Sequence, residues 1–125
     1  PIISVGWEGT GSLLHRHERT WLYLASGSKE WLLLPPVVAD GEALKQLTND
    51  DACAFVRHQQ PRSISGAMHC AQSAGDVVVL PQDWWHATCN DRPGLSIAWG
   101  AQGDSTAWTP VHFQARSGEV PRGFD

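Results

Sequence analysis

The feature that most restricts the fold is a succession of short strand-like runs, each closed within a few residues by Gly, Pro, Ser or Asp. PIISVGW opens the chain, GTG follows as a turn or bulge signal, and SLLHRH and TWLYLA come next. The turn SGS then leads into KEWLLL, which Pro35-Pro36 closes. After an interruption the pattern resumes with AMHCAQ, the turn SAGD, VVVLP, WWHATC, the loop NDRPG and LSIAWG. Runs of this length between turn residues predict an all-β sandwich or barrel. A double-sheet jelly roll is the natural candidate, because its two sheets bring residues from distant strands into one pocket.

The interruption spans residues 41–60, GEALKQLTNDDACAFVRHQQ. There Leu44, Leu47, Ala54, Phe55 and Val56 fit helical rather than alternating spacing, and Pro61 ends the segment. This predicts one helical insert within a β core of residues 1–100. Beyond Gly100 the Gly, Ser and Pro content rises and periodicity fades, so residues 101–125 read as an irregular tail. With 125 residues the chain holds one domain. It starts at Pro1 rather than Met, which reads as a piece of something longer, and any targeting peptide would lie outside it.

A formal charge of −4 argues against an electrostatic grip on nucleic acid or an anionic membrane. The apolar run WLLL stops after four residues, far short of a membrane span. Cys53, Cys70 and Cys89 form an odd set with neither CxxC nor CxC spacing. They read as buried free thiols rather than a disulfide framework or a zinc site, and they leave the redox compartment open.

The chemistry concentrates in LLHRHERTW. In a strand, residues i and i+2 share a face, so His15 and His17 project together while Glu18 points away. His86, in DWWHAT after the apolar run DVVVLP, is the candidate third ligand. Three ligands on one face leave coordination positions open, the arrangement of non-haem iron oxygenases. Taken alone, His-x-His also fits a chance surface pair. In KEWLLL, Lys29 shares a face with Trp31 and Leu33, and an ammonium heading such an apolar row wants an anionic partner. A lysine snorkelling to solvent is the alternative.

Other residues carry less. Trp84 and Trp85 alternate faces, so one packs in the core and the other lies nearer solvent or a partner. Asp76 after Gly75 caps a turn. Asn90, at the end of the His86 strand, is a polar pocket candidate, and Trp99 is either pocket floor or core. His58, His69 and His112 have no ligand-like partner by spacing. No Ser-His-Asp order, P-loop or Rossmann fingerprint is present.

VGWEGTGSLLHRHERTWLYLASGSKEWLLLPP, CAQSAGDVVVLPQDWWHATCN and LSIAWG together resemble the JmjC (cupin-like) family of Fe(II)- and 2-oxoglutarate-dependent oxygenases, from about Val5 to Gly100. The resemblance implies a double-stranded β-helix lacking the family's outer N-terminal strands. It implies metal ligation by His15, His17 and His86, with Fe(II) the expected ion and Zn(II) an alternative. It further implies that Lys29 pairs the far carboxylate of 2-oxoglutarate, that Ser12 contacts the same carboxylate, and that Thr20 is a polar pocket residue. The implied reaction is hydroxylation or demethylation of a protein or peptide side chain. At the second ligand position the family carries Asp or Glu, whereas this chain has His17. That variant resembles a secretory-pathway branch with His-x-His, so a secretory lumen is compatible with the resemblance while the compartment stays open. It also leaves open a non-catalytic interaction module with a structural metal, or a three-histidine cupin oxygenase that uses no 2-oxo acid.

Overall fold

The computed structural model describes residues 1–37, 51–58, 61 and 63–103. Eight strands make the core: β1 (Ile2–Trp7), β2 (Gly11–His15), β3 (Thr20–Ser26), β4 (Ser28–Leu34), β5 (Met68–Ser73), β6 (Val77–Leu80), β7 (Trp85–Asn90) and β8 (Leu95–Gln102). The helix α1 (Ala52–Arg57) falls between β4 and β5. The strands form two four-stranded sheets, ordered β1-β8-β3-β6 and β2-β7-β4-β5, with antiparallel pairing throughout. Successive strands change sheets except at β4–β5, and this crossing pattern is a jelly roll. The all-β expectation holds, strand by strand.

Both expected boundaries need comment. Of the 41–60 insert, the described part is α1, whose N-cap is Asp51 with its side chain accepting from the Ala54 N–H at 2.9 Å. Leu44 and Leu47 lie outside the described residues. β8 continues to Gln102, two residues past the expected core end at Gly100, because Trp21 and Thr20 still pair with Ala101 and Gln102. Residues 104–125, including His112, lie outside the description.

The central strands of the second sheet, β4 and β7, are buried on both faces, which explains why KEWLLL and WWHATC read as nearly continuous apolar runs. The sheet's inner face meets the first sheet around Leu22, Leu24, Trp31, Leu33, Leu80 and Ala98. Its outer face is covered by α1, where Phe55 and Val56 pack with Leu14, Leu32, Leu34, Trp85 and Ala87. The three-free-thiol expectation fails here. Cys53 on α1 and Cys89 on β7 form a disulfide across Cα atoms 4.7 Å apart, and Cys70 alone is free and exposed. Linear spacing hid the bond, because the helix folds back onto a strand 36 residues away. On the first sheet, by contrast, β1 turns Ile3, Val5 and Trp7 outward into exposure.

Candidate metal centre and pocket

β7 is the central rail of the site. Its register sets His86 beside Leu33 of β4, Thr88 beside Trp31 and Asn90 beside Lys29. With period two, His86, Thr88 and Asn90 all face the first sheet. On the other side of β7, Ser12 pairs with Thr88 and His15 with His86, so Leu13 and Leu14 of β2 together oppose Ala87 of β7. This bulge decides which side chain enters the cavity. A regular strand would put Leu14 on the face of Ser12; the extra residue sends Leu14 into the core beneath α1 and brings His15 round to the cavity. Gly11 is required next to the bulge, because a Cβ there would collide with the Thr88 carbonyl oxygen.

His17 arrives differently from the expectation. β2 ends at His15, so the same-face argument for an unbroken strand does not apply to the pair. The segment after β2 is held instead by the Asp83 N–H, which donates to the His17 carbonyl at 2.9 Å. The rings still gather. His15 and His86 have centroids 4.2 Å apart and His17 and His86 4.6 Å, and ligand atoms of all three lie within 4.8 Å of one another. Glu18 is exposed and does not line the cavity.

The hydrogen bonds on the far side of each ring fix what faces inward. Nδ1 of His15 meets the Leu13 carbonyl at 2.6 Å, Nδ1 of His17 the Glu18 carbonyl at 2.7 Å, and Nδ1 of His86 the Trp84 carbonyl at 2.8 Å. A carbonyl only accepts, so each Nδ1 carries the proton and each Nε2 presents a lone pair. The Nε2 atoms of His17 and His86 are 3.1 Å apart. Two facing lone pairs at that distance repel unless a cation lies between them. Ligands about 2.1 Å from a shared ion would themselves sit roughly 3.0–3.4 Å apart. Burial pushes the His86 imidazole down to about 4, with His15 and His17 adding to the effect, so His86 is neutral and available as a donor at neutral pH. The donor set fits a divalent metal.

The other end of the cavity is built around Lys29, only 2% exposed. Its Nζ donates to Asn90 Oδ1 at 2.7 Å and reaches Ser4 Oγ at 3.5 Å. Asn90 in turn donates to Thr10 Oγ1 at 3.0 Å. Gly6 makes this possible, since a Cβ there would overlap both Asn90 Nδ2 and Thr10 Oγ1. Burial lowers the lysine pKa, and no Asp or Glu is among the described residues lining the cavity. The cavity encloses about 200 Å³, and Ser12, Thr20, Trp31 and Thr88 complete its wall between the two ends. Ser12 and Thr88 share a hydroxyl contact of 2.8 Å, and Thr20 Oγ1 donates to the Ala101 carbonyl at 2.8 Å.

The seven residues singled out from the sequence (Ser12, His15, His17, Thr20, Lys29, His86 and Asn90) thus line one cavity. Thr10, Thr88 and Ser4 were missed. Thr88 was findable, standing two residues from both His86 and Asn90. Trp85 is the core member of its pair, while Trp84 packs partly buried against the inner core. Asp76 caps its turn by accepting from the Ser73 N–H at 2.8 Å. Trp99 is neither pocket floor nor core: it packs edge-on against Trp21 and Tyr23 on the outer side of the first sheet. His69 contacts Glu30 at 3.2 Å, and His58 is exposed just beyond α1; neither approaches the cavity.

Two interlocked antiparallel sheets around a three-histidine cavity define a cupin. The Drosophila melanogaster CENP-C cupin domain superposes with a TM-score of 0.56 at 8% identity, covering 81% of this chain and 58% of that one. Drosophila CENP-C in a complex with CAL1 gives 0.53 at 9% identity. No family model matches the sequence. The curated relatives are JmjC proteins. JmjC domain-containing protein 8 of Homo sapiens is 33% identical over 95 residues, 72% of this chain and 34% of that protein. Arginine-specific demethylase JMJ22 of Arabidopsis thaliana is 28% identical over 107 residues, 76% of this chain and 21% of that protein. The bifunctional arginine demethylase and lysyl-hydroxylase psr-1 of Caenorhabditis elegans is 24% identical over 90 residues, 62% of this chain and 22% of that protein. By fold the chain is a cupin, and by sequence it is JmjC-like. It spans about a third or less of the length of these relatives.

Proposed function

We propose that this domain is the metal- and 2-oxo-acid-binding core of an oxygenase acting on a protein or peptide side chain, by hydroxylation or demethylation. The observation that carries the reading is the pairing, in one cavity, of three inward Nε2 lone pairs with a buried lysine that has no Asp or Glu beside it among the described residues lining the cavity. His15, His17 and His86 would hold Fe(II), with Zn(II) as the alternative occupant. Bound iron would supply the oxygen-activating chemistry; the protein supplies position and charge. Lys29 would take the distal carboxylate of 2-oxoglutarate, with Asn90 holding the ammonium in place and Ser12 and Thr20 offering hydroxyls along the wall. Leu22 and Trp31 exclude water between the two ends. The side-chain substrate is supported by the names of two relatives, an arginine demethylase and a demethylase that is also a lysyl-hydroxylase. A site in the secretory lumen is supported by the Cys53–Cys89 disulfide, a bond favoured in oxidising compartments.

His17 favours a second reading. A neutral imidazole in place of the family's carboxylate leaves bound iron one charge more positive, which suits a structural metal in an interaction module, or direct substrate chelation. Anaerobic titration with Fe(II) and then 2-oxoglutarate, followed by a decarboxylation assay, separates these. Binding of both and oxygen-dependent decarboxylation by the parent support the oxygenase. Metal binding without 2-oxoglutarate binding would overturn it. If decarboxylation is slow in the parent and rises in His17→Asp, the domain is a weakened oxygenase whose second ligand is the defect.

A further inference from the structure

We propose that Arg16, the residue between His15 and His17, is a positioning residue for the metal centre. Its guanidinium lies over the Trp85 ring, with Cζ 4.6 Å from the ring centroid, and fixes the His15–His17 segment against the strand carrying His86. This rests on the reading that the three histidines hold a metal.

The geometry asks for such a clamp. His15 is the last residue of β2, and His17 lies beyond it, outside any sheet ladder. A ligand on an unpaired segment loses affinity whenever that segment moves, because each ligand atom must be held to within about 0.5 Å. The backbone offers one tie, the Asp83 N–H to the His17 carbonyl at 2.9 Å. Asp83 makes it from a left-handed conformation, φ 65°, which a non-glycine residue adopts only where its surroundings hold it. Arg16 supplies the second tie. Its anchor is firm: Trp85 is 3% exposed and packed among Leu14, Leu34, Phe55 and Ala87. Trp85 also immediately precedes His86, so its ring and the third ligand are adjacent on one rigid strand. Three ligands are thereby referred to one frame: His15 through the β2–β7 ladder, His17 through Arg16, and His86 through the covalent chain. Arg16 itself is exposed, so its charge remains in water and its removal uncovers no cavity.

The test is Co(II) affinity of the whole 125-residue chain, measured by competition with a chromophoric chelator, together with the visible spectrum of the bound ion. Arg16→Ala should weaken Co(II) binding about three- to tenfold and broaden the spectrum, with little change in the unfolding temperature of the apoprotein. Arg16→Lys should recover part of the loss, and Arg16→Gln, which keeps a polar side chain without the charge, should not. In a His17→Ala background Arg16→Ala should have no further effect, because the residue acts through the ligand that is missing. Undiminished Co(II) binding by Arg16→Ala, or an equal loss in the His17→Ala background, overturns the proposal and leaves the metal site standing. Failure of the parent to bind Co(II) overturns the metal reading and this proposal with it.

Discussion

Strand β7 is buried along its whole length, yet its two rows of side chains do different things. The front row, His86, Thr88 and Asn90, faces the cavity and contacts polar groups from β2, β4 and the β1–β2 turn. The back row, Trp85, Ala87 and Cys89, lies under α1 and is apolar, with one covalent bond. Front-row burial is unfavourable by itself: desolvation depresses both His86 and its neighbour Lys29. Back-row burial is favourable and offsets it. Neighbouring positions of one strand therefore separate recognition from stability, and substitutions at them should separate the two in measurement.

The largest effect belongs to the back row. Replacing Cys53 and Cys89 together by Ser frees a loop of 36 residues, for which loop-closure entropy gives a loss of about 4 kcal/mol. Urea unfolding with and without the bond measures it. Metal affinity should stay within about threefold of the parent under conditions where the variant is folded, as expected of separable faces. Loss of metal binding by a folded variant would show that the two rows are coupled.

The front row should behave in the opposite sense. Lys29→Ala should weaken 2-oxoglutarate binding by roughly 2–4 kcal/mol in calorimetry, the cost of removing one partner of a buried charge pair, and leave metal affinity unchanged. Lys29→Met goes further. It removes a buried ammonium that has no Asp or Glu beside it among the described residues lining the cavity, so the apoprotein should unfold at higher denaturant concentration while losing the ligand. A destabilised Lys29→Met would mean that the Asn90 contact contributes more than the desolvation it opposes.

These two rows also mark what was legible in the sequence. Alternation in KEWLLL told which residues share a face, and so aligned Lys29 with Trp31, whereas Asn90 was marked only as a polar residue at the end of the His86 strand. Alternation did not tell that both faces are buried, because the covering helix sits in a segment whose partner is remote. For the same reason Cys53 and Cys89 looked like separate thiols. Alternation misled at the bulge: Ser12 and His15 are an odd number apart, and only the extra residue in β2 lets both face the cavity. The convergence of His15 and His17 was correctly expected from a strand that in fact stops at His15. What holds His17 is a turn contact from Asp83, which no periodicity announces.

Acidification gives a smaller effect, confined to the front row. His86 is held at about 4 against an ordinary value of 6.5, so on acidification the unfolded chain takes up this proton before the folded one does. Its contribution to apoprotein stability is therefore complete above pH 6.5 and is lost as pH falls through about 4. About 2 kcal/mol should be gone by about pH 5. His86→Phe should flatten that part of the profile. An unchanged slope in His86→Phe would assign the acid sensitivity to other groups.

The smallest effect tests whether charge, rather than apolar burial and the disulfide, seals the back face. Glu30 lies on the outer side of β4, beside Cys89 in register, and its Oε1 accepts from Arg57 Nε at 3.1 Å and Nη2 at 2.9 Å. Its other oxygen meets His69 at 3.2 Å. The hydrogen bond from Arg57 is the main reason the Glu30 carboxyl is held below its ordinary value of 4.5. The Arg57 side chain is 50% exposed, so solvent screens most of this attraction. Glu30→Gln should therefore cost about 0.5 kcal/mol at low ionic strength and close to nothing in roughly 1 M salt. Because the folded value is depressed, the contribution is present above 4.5 and disappears as the pH falls through the folded value. Its loss begins only below 4.5, so Glu30→Gln should leave the His86 loss between pH 6.5 and about 5 intact. A cost above about 2 kcal/mol, persisting in salt, would instead make the Arg57–Glu30–His69 cluster the tie that holds α1 to the sheet. The disulfide would then only secure a helix already in place.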